Sequence, residues 1–157
     1  MMDSQTSLLY NKSLRFLSFR PRSVYEMKAY LQKNKAENNQ IEVITQKLIE
    51  LNFLNDREFA EKWIEDRKKF HPKSLTIIKF ELLQKGISKE IIDEVLSKQK
   101  EEGEDLRMAK NLLTKQLPKH SGLSPRDLRI KLSLYLQRKG FSWEIVKTAI
   151  DDCLEKE

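Results

Sequence analysis

The chain has 157 residues, 39% of them hydrophobic, which is enough for a modest core without covalent cross-links. Its 30 Lys and Arg against 24 Asp and Glu give a net charge of +6, a balance that favours polyanionic partners. One cysteine, Cys153, cannot form an internal disulfide and fits a reducing compartment. Neither a signal-like start nor an apolar run of membrane-spanning length is present, so the sequence predicts a cytoplasmic protein with no membrane association.

The apolar residues recur at helical spacing throughout. Tyr10, Leu14 and Leu17 share one helix face, Val24, Met27 and Leu31 a second, and Ile41, Ile44, Leu48 and Leu51 a third. The pattern restarts with Phe59, Ala60, Trp63 and Ile64, continues through Leu75, Ile78 and Leu82, and closes with Ile91, Ile92, Val95 and Leu96. It runs a third time through Leu106, Ala109 and Leu113, then Leu128, Leu132 and Leu136, then Ile145, Val146, Ala149 and Ile150. Four glycines and four prolines punctuate the chain, and strands find little support. The expected fold is all-α: three tandem three-helix repeats, at residues 8–55, 56–100 and 105–154, in an elongated, solenoid-like arrangement.

Boundaries repeat with the faces. Ser23, Ser74 and Ser124 can each cap the middle helix of a repeat, 51 and 50 positions apart. Gln84-Lys85-Gly86-Ile87-Ser88 and Arg138-Lys139-Gly140-Phe141-Ser142 read as one joint, with glycine past a helix end and a serine cap after it. In repeat one, Lys33 to Gln40 is expected to replace that joint with a longer polar loop, and Lys98 to Glu104 reads as a linker. Asn55 or Asp56 caps the helix carrying Phe59, Ala60 and Trp63, and Trp63 is expected to be a core anchor of repeat two. Trp143, just past a serine cap, is expected to be partly exposed.

Catalytic signatures are missing. His71 and His120 have no Cys or second His at ligand spacing, the glycines form no phosphate loop, and Glu101-Glu102 and Asp151-Asp152 lie in solvated stretches. Cys153 reads as a packing residue of the last helix. No enzyme activity, cofactor or metal is expected.

Basic residues, in contrast, gather at one position of every repeat, the turn between its first and second helices. Arg15, Arg20 and Arg22 mark the first, Arg67, Lys68, Lys69 and Lys73 the second, and Lys119, Arg126 and Arg129 the third. These clusters fit either solvated helix faces or a repeated binding edge. As a surface feature, Arg67, Lys68 and Lys69 should accept simultaneous replacement by glutamate with folding nearly intact.

Three stretches carry a resemblance to a known family: Arg20-Pro21-Arg22-Ser23 leading into Val24 to Leu31, the junction Phe53-Leu54-Asn55-Asp56-Arg57-Glu58-Phe59-Ala60, and Lys79-Phe80-Glu81-Leu82-Leu83-Gln84-Lys85-Gly86-Ile87. Together with Arg138-Lys139-Gly140-Phe141-Ser142 they make residues 8 to 154 resemble the RecX regulatory proteins. Asn55 departs from the family's usual aspartate and Ser74 from a common glycine. The resemblance implies a monomeric, non-catalytic regulator. It would bind the RecA recombinase filament on single-stranded DNA and modulate, most often inhibit, its recombinase, ATPase and coprotease activities. The basic residues favour, as the alternative, a stand-alone DNA-binding helical module.

Overall fold

A computed structural model describes residues 2–99 and 103–155. These residues form α1 (Ser4–Phe19), α2 (Val24–Lys33), α3 (Asn38–Glu50), α4 (Asp56–Phe70), α5 (Leu75–Gln84), α6 (Lys89–Gln99), α7 (Glu104–Gln116), a 3₁₀ turn (Leu117–His120), α8 (Pro125–Arg138) and α9 (Trp143–Leu154). The described residues contain no strand. Of the linker expected at Lys98 to Glu104, residues 100–102, with the Glu101-Glu102 pair, lie outside the described residues.

Local chemistry explains where the helices start. Free amides in a first turn need acceptors, and short polar side chains supply them. Ser23 Oγ accepts from the Glu26 amide at 3.1 Å, and Glu26 Oε2 accepts in return from the Ser23 amide at 3.2 Å, completing a capping box. Ser74, Ser124 and Ser142 accept in the same way from Ile77, Asp127 and Ile145. Of the two candidates at the start of α4, Asn55 is the cap, accepting from the Glu58 amide at 3.1 Å.

The helix ends correct one expectation. The amide of Ala36 reaches the Leu31 carbonyl, that of Ile87 the Leu82 carbonyl, and that of Phe141 the Leu136 carbonyl, so α2, α5 and α8 close with the same hydrogen-bond pattern. The left-handed residue in each is Lys35 (φ 61°), Gly86 (φ 74°) or Gly140 (φ 85°). Repeat one therefore has no longer loop: segments 34–37, 85–88 and 139–142 have equal length. Only the composition differs, with a lysine where its siblings have glycine.

The chain divides into two compact units, one formed by residues up to Trp63 with Leu82–Val95, the other by Ile64–Glu81 with the described residues from Leu96 onward. In the first unit Leu9, Met27, Leu31, Ile41, Ile44, Leu48 and Leu54 form one buried cluster, and Phe59, Ala60, Leu82, Ile87, Ile92 and Val95 are also buried. In the second, Met108, Ala109, Leu112, Leu113, Leu132, Leu136, Phe141, Val146, Ala149 and Ile150 form the core. Cys153 packs against that core, the placement its sequence context suggested.

Trp63 is a correction. It is only partly buried, stacking on Phe59 at 5.7 Å between ring centroids with the Lys85 ammonium 5.4 Å from its ring, while Ala60 and Ile64 take the fully buried positions. The helix turns that face inward so that the indole lies at the rim. Trp143 is 63% exposed.

Candidate partner-binding site

The basic residues of each corner follow from the helix ends just described. In the first unit, Arg15 is exposed on α1 with no ion-pair partner among the described residues. Arg20 is held by Glu26 through two bonds, Nη2 to Oε1 at 2.7 Å and Nη1 to Oε2 at 3.1 Å. Glu26 also accepts from Lys85 Nζ at 2.9 Å, so one capping-box carboxylate serves two cations and an amide. Burial alone would push Glu26 up. Hydrogen bonds from Arg20, Lys85 and the Ser23 amide, with the Arg20 charge, outweigh it and hold the carboxyl at about 2.

Arg22 is placed differently. Its guanidinium lies 3.8 Å from the centroid of the Phe16 ring, which itself stacks on Tyr30 at 4.0 Å with only 6° between planes. The planar cation caps an aromatic pair, an arrangement worth about 0.5–2 kcal/mol depending on desolvation. Burial first, and repulsion from Arg20 second, lower its proton affinity, with Glu26 opposing. Its Nε is buried without an acceptor among the described residues.

The second unit uses most of its corner cations internally. Glu81, 14% exposed at its side chain, accepts from Arg67 Nε and Lys73 Nζ at 2.6 and 2.5 Å. Lys68 Nζ lies 2.5 Å from Oε1 of Glu104, a carboxylate only 5% exposed. Lys69 sits over Phe70 at 5.3 Å. On α8, Arg129 pairs with Asp151 at 2.7 Å, whereas Arg126 on the same helix and Lys119 in the preceding 3₁₀ turn are exposed without an ion pair among the described residues. Pairing with near-buried carboxylates makes Arg67 and Lys68 structural, so joint replacement of Arg67, Lys68 and Lys69 by glutamate would not leave folding intact. Unpaired charge resides instead on Arg15, Lys69, Lys119 and Arg126, with Arg22 stacked.

A second feature escaped the sequence reading. In the first unit Ser23 Oγ donates to the Lys85 carbonyl at 2.6 Å and the Val24 amide donates to Asp56 Oδ1 at 2.9 Å. In the second, the Ser74 amide donates to the Lys139 carbonyl at 3.0 Å and the Leu75 amide to Asp105 Oδ1 at 3.3 Å. A Cβ on Gly86 would overlap Tyr25, and one on Gly140 would overlap Ile77 and Ser74. The glycines thus serve both the left-handed turn and a close approach to the preceding repeat. Burial raises the Asp56 carboxyl, and the Val24 amide opposes that rise. The 49-position spacing of Asp56 and Asp105 was the available signal.

The fold defines a class: a protein of tandem three-helix domains. Among the described residues no group of three His, Cys, Asp or Glu is placed to hold a metal, and no helix is long and apolar enough to cross a membrane. Family models match in succession: the first three-helix domain of RecX at residues 10–48, the second at 55–96 and the third at 103–150. The chain belongs to the RecX family. It is 34% identical over 142 residues to the regulatory protein RecX of Bacillus subtilis, covering 90% of this chain and 53% of that protein. With its counterpart from Listeria welshimeri it shares 34% over 139 residues, 88% of this chain and 51% of the other. The chain therefore spans about half the length of these curated relatives. The crystal structure of RecX from Lactobacillus salivarius superposes with a TM-score of 0.77 at 28% identity, covering 94% of this chain and 96% of that one. A second RecX crystal structure gives 0.75 at 25% identity, covering 94% and 72%.

Proposed function

We propose that this chain binds the RecA filament assembled on single-stranded DNA in the cytoplasm and restrains its recombinase, ATPase and coprotease activities without catalysis of its own. The observation that carries this reading is the succession of all three RecX domains along the chain. The corner electrostatics support it: Arg15, Lys69 and Arg126 are exposed and form no ion pair among the described residues, and Arg22 is stacked on Phe16. Such cations interact with phosphate-rich or acidic surfaces in a salt-dependent way. Arg20, Arg67, Lys68, Lys73 and Arg129 belong to the proposed contact set less directly, since each holds a partner within the fold. Separate three-helix domains also permit several weak contacts to act together, raising affinity without one deep pocket.

The test is RecA ATPase on single-stranded DNA titrated with the purified chain. The expected result is a progressive fall in turnover that added salt weakens. Unchanged turnover, together with tight salt-sensitive binding to naked single-stranded DNA, would replace this reading with that of a stand-alone DNA-binding module.

A further inference from the structure

We propose that the outer face of α8 is a docking surface for an acidic amphipathic helix of a protein partner, with Ile130 and Leu134 as its apolar seat and Arg126, Lys131 and Arg138 as the charges around it. The assignment stands on α8 alone and is tested without RecA.

α8 buries one face and leaves the other unpartnered. Leu132 and Leu136 are fully buried, and Leu128 and Tyr135 pack beside them against the core of the second unit. With about 3.6 residues per turn, Ile130 and Leu134 fall on the opposite side of the helix, where they are 51% and 50% exposed. A spacing of four sets one above the other, so they form a continuous aliphatic patch rather than two scattered side chains. The repeat itself does not require this patch. Fifty positions earlier, in α5, stand Phe80 and Gln84, and 51 positions before those, in α2, stand Ala29 and Lys33.

Positive charge surrounds the patch. Arg126 lies four positions before Ile130, Arg138 four after Leu134, and Lys131 beside them; all three are exposed and form no ion pair among the described residues. Arg138 Nε donates to the Leu134 carbonyl at 3.3 Å, which keeps the guanidinium at that end of the patch. Asp127, the only acid of α8, is engaged by the Ser124 hydroxyl at 2.7 Å. From Arg126 to Arg138 the helix rises about 18 Å.

An occupant must therefore cover two aliphatic side chains and present anions on both sides of them. A phosphate backbone supplies the anions but no aliphatic surface, and a bilayer calls for a far wider apolar face than two side chains. A helix with apolar anchors at i and i+4 and acids a turn beyond each meets both demands.

The probe is a short fluorescein-labelled helical peptide, with two leucines four positions apart and glutamates one turn beyond each, titrated with the full chain and followed by fluorescence anisotropy. The parent should bind it saturably, and less tightly as salt rises. Peptides with serine for leucine, or lysine for glutamate, should not bind. I130S/L134S should bind the glutamate peptide about tenfold more weakly, and R126E/K131E/R138E should lose that peptide and take the lysine one. Circular dichroism melts matching the parent establish that both variants are folded, as exposed positions predict. Absence of saturable binding by the parent would overturn the proposal, as would equal binding by folded I130S/L134S. Binding of a single-stranded oligonucleotide that falls in I130S/L134S as steeply as peptide binding would overturn it in favour of nucleic acid, and a parent dimer that this variant dissolves would overturn it in favour of a second copy of the chain.

Discussion

The turn between α1 and α2 and the turn between α4 and α5 are built from the same residue types, yet their charges end in different environments. Around the first, Arg15 is open, Arg22 is stacked on Phe16, and only Arg20 is committed to a carboxylate. Around the second, Arg67 and Lys73 converge on Glu81, and Lys68 on Glu104. A cation beside a buried carboxylate stabilises the fold and is withdrawn from solution, whereas an exposed one contributes little stability and keeps its field. Clustering of basic residues in a sequence therefore marks a corner without saying which of its charges face a partner.

Breaking the second corner should have the largest effect. Replacing Arg67 and Lys68 by glutamate sets like charges against Glu81 and Glu104, whose side chains are 14% and 5% exposed. Loss of a buried pair costs about 3–5 kcal/mol. Urea unfolding should show a loss of that order. A change below about 0.5 kcal/mol, typical of plain surface sites, would mean the pairs carry no structural load.

The first corner should reveal itself in acid. Glu26 titrates at about 2 in the folded chain against an ordinary 4.5. A depressed carboxyl binds its proton more readily in the unfolded state, so its stabilisation is fully present above about 4.5 and is lost as pH falls toward 2. Glu26→Gln should therefore be less stable than the parent at neutral pH, and the difference should shrink progressively below pH 4.5. A difference that stays constant down to pH 2 would show that Glu26 acts through packing rather than charge.

Much of the fold was legible beforehand because its signals are local. Helical periodicity and the serine caps require residues only three or four positions apart, and the caps at Ser23, Ser74, Ser124 and Ser142 all form. The ion pairs were not legible for the opposite reason. Lys85 reaches Glu26 across 59 positions and Lys68 reaches Glu104 across 36, and no periodicity links such residues before the helices are packed. Lys35 misled differently. Its polar surroundings read as a longer loop, although a lysine had simply taken the left-handed place of glycine in a joint of unchanged length. Trp63 shows that a position beside a core stripe differs from one within it: Ile64, one residue on, is fully buried.

The weakest effect on stability and the most telling one on function should come from the open charges. Arg15→Glu with Arg126→Glu should change unfolding free energy by only about 0.5 kcal/mol per site, since neither residue has an ion-pair partner among the described residues. The direct measurement is RecA ATPase on single-stranded DNA, titrated with parent and double variant at low and moderate salt. The double variant should remain folded and need a several-fold higher concentration to restrain turnover, with the gap narrowing as salt rises. A folded double variant that restrains RecA at the parent's concentration at both salt levels would contradict the assignment of the open cations to the partner-binding surface.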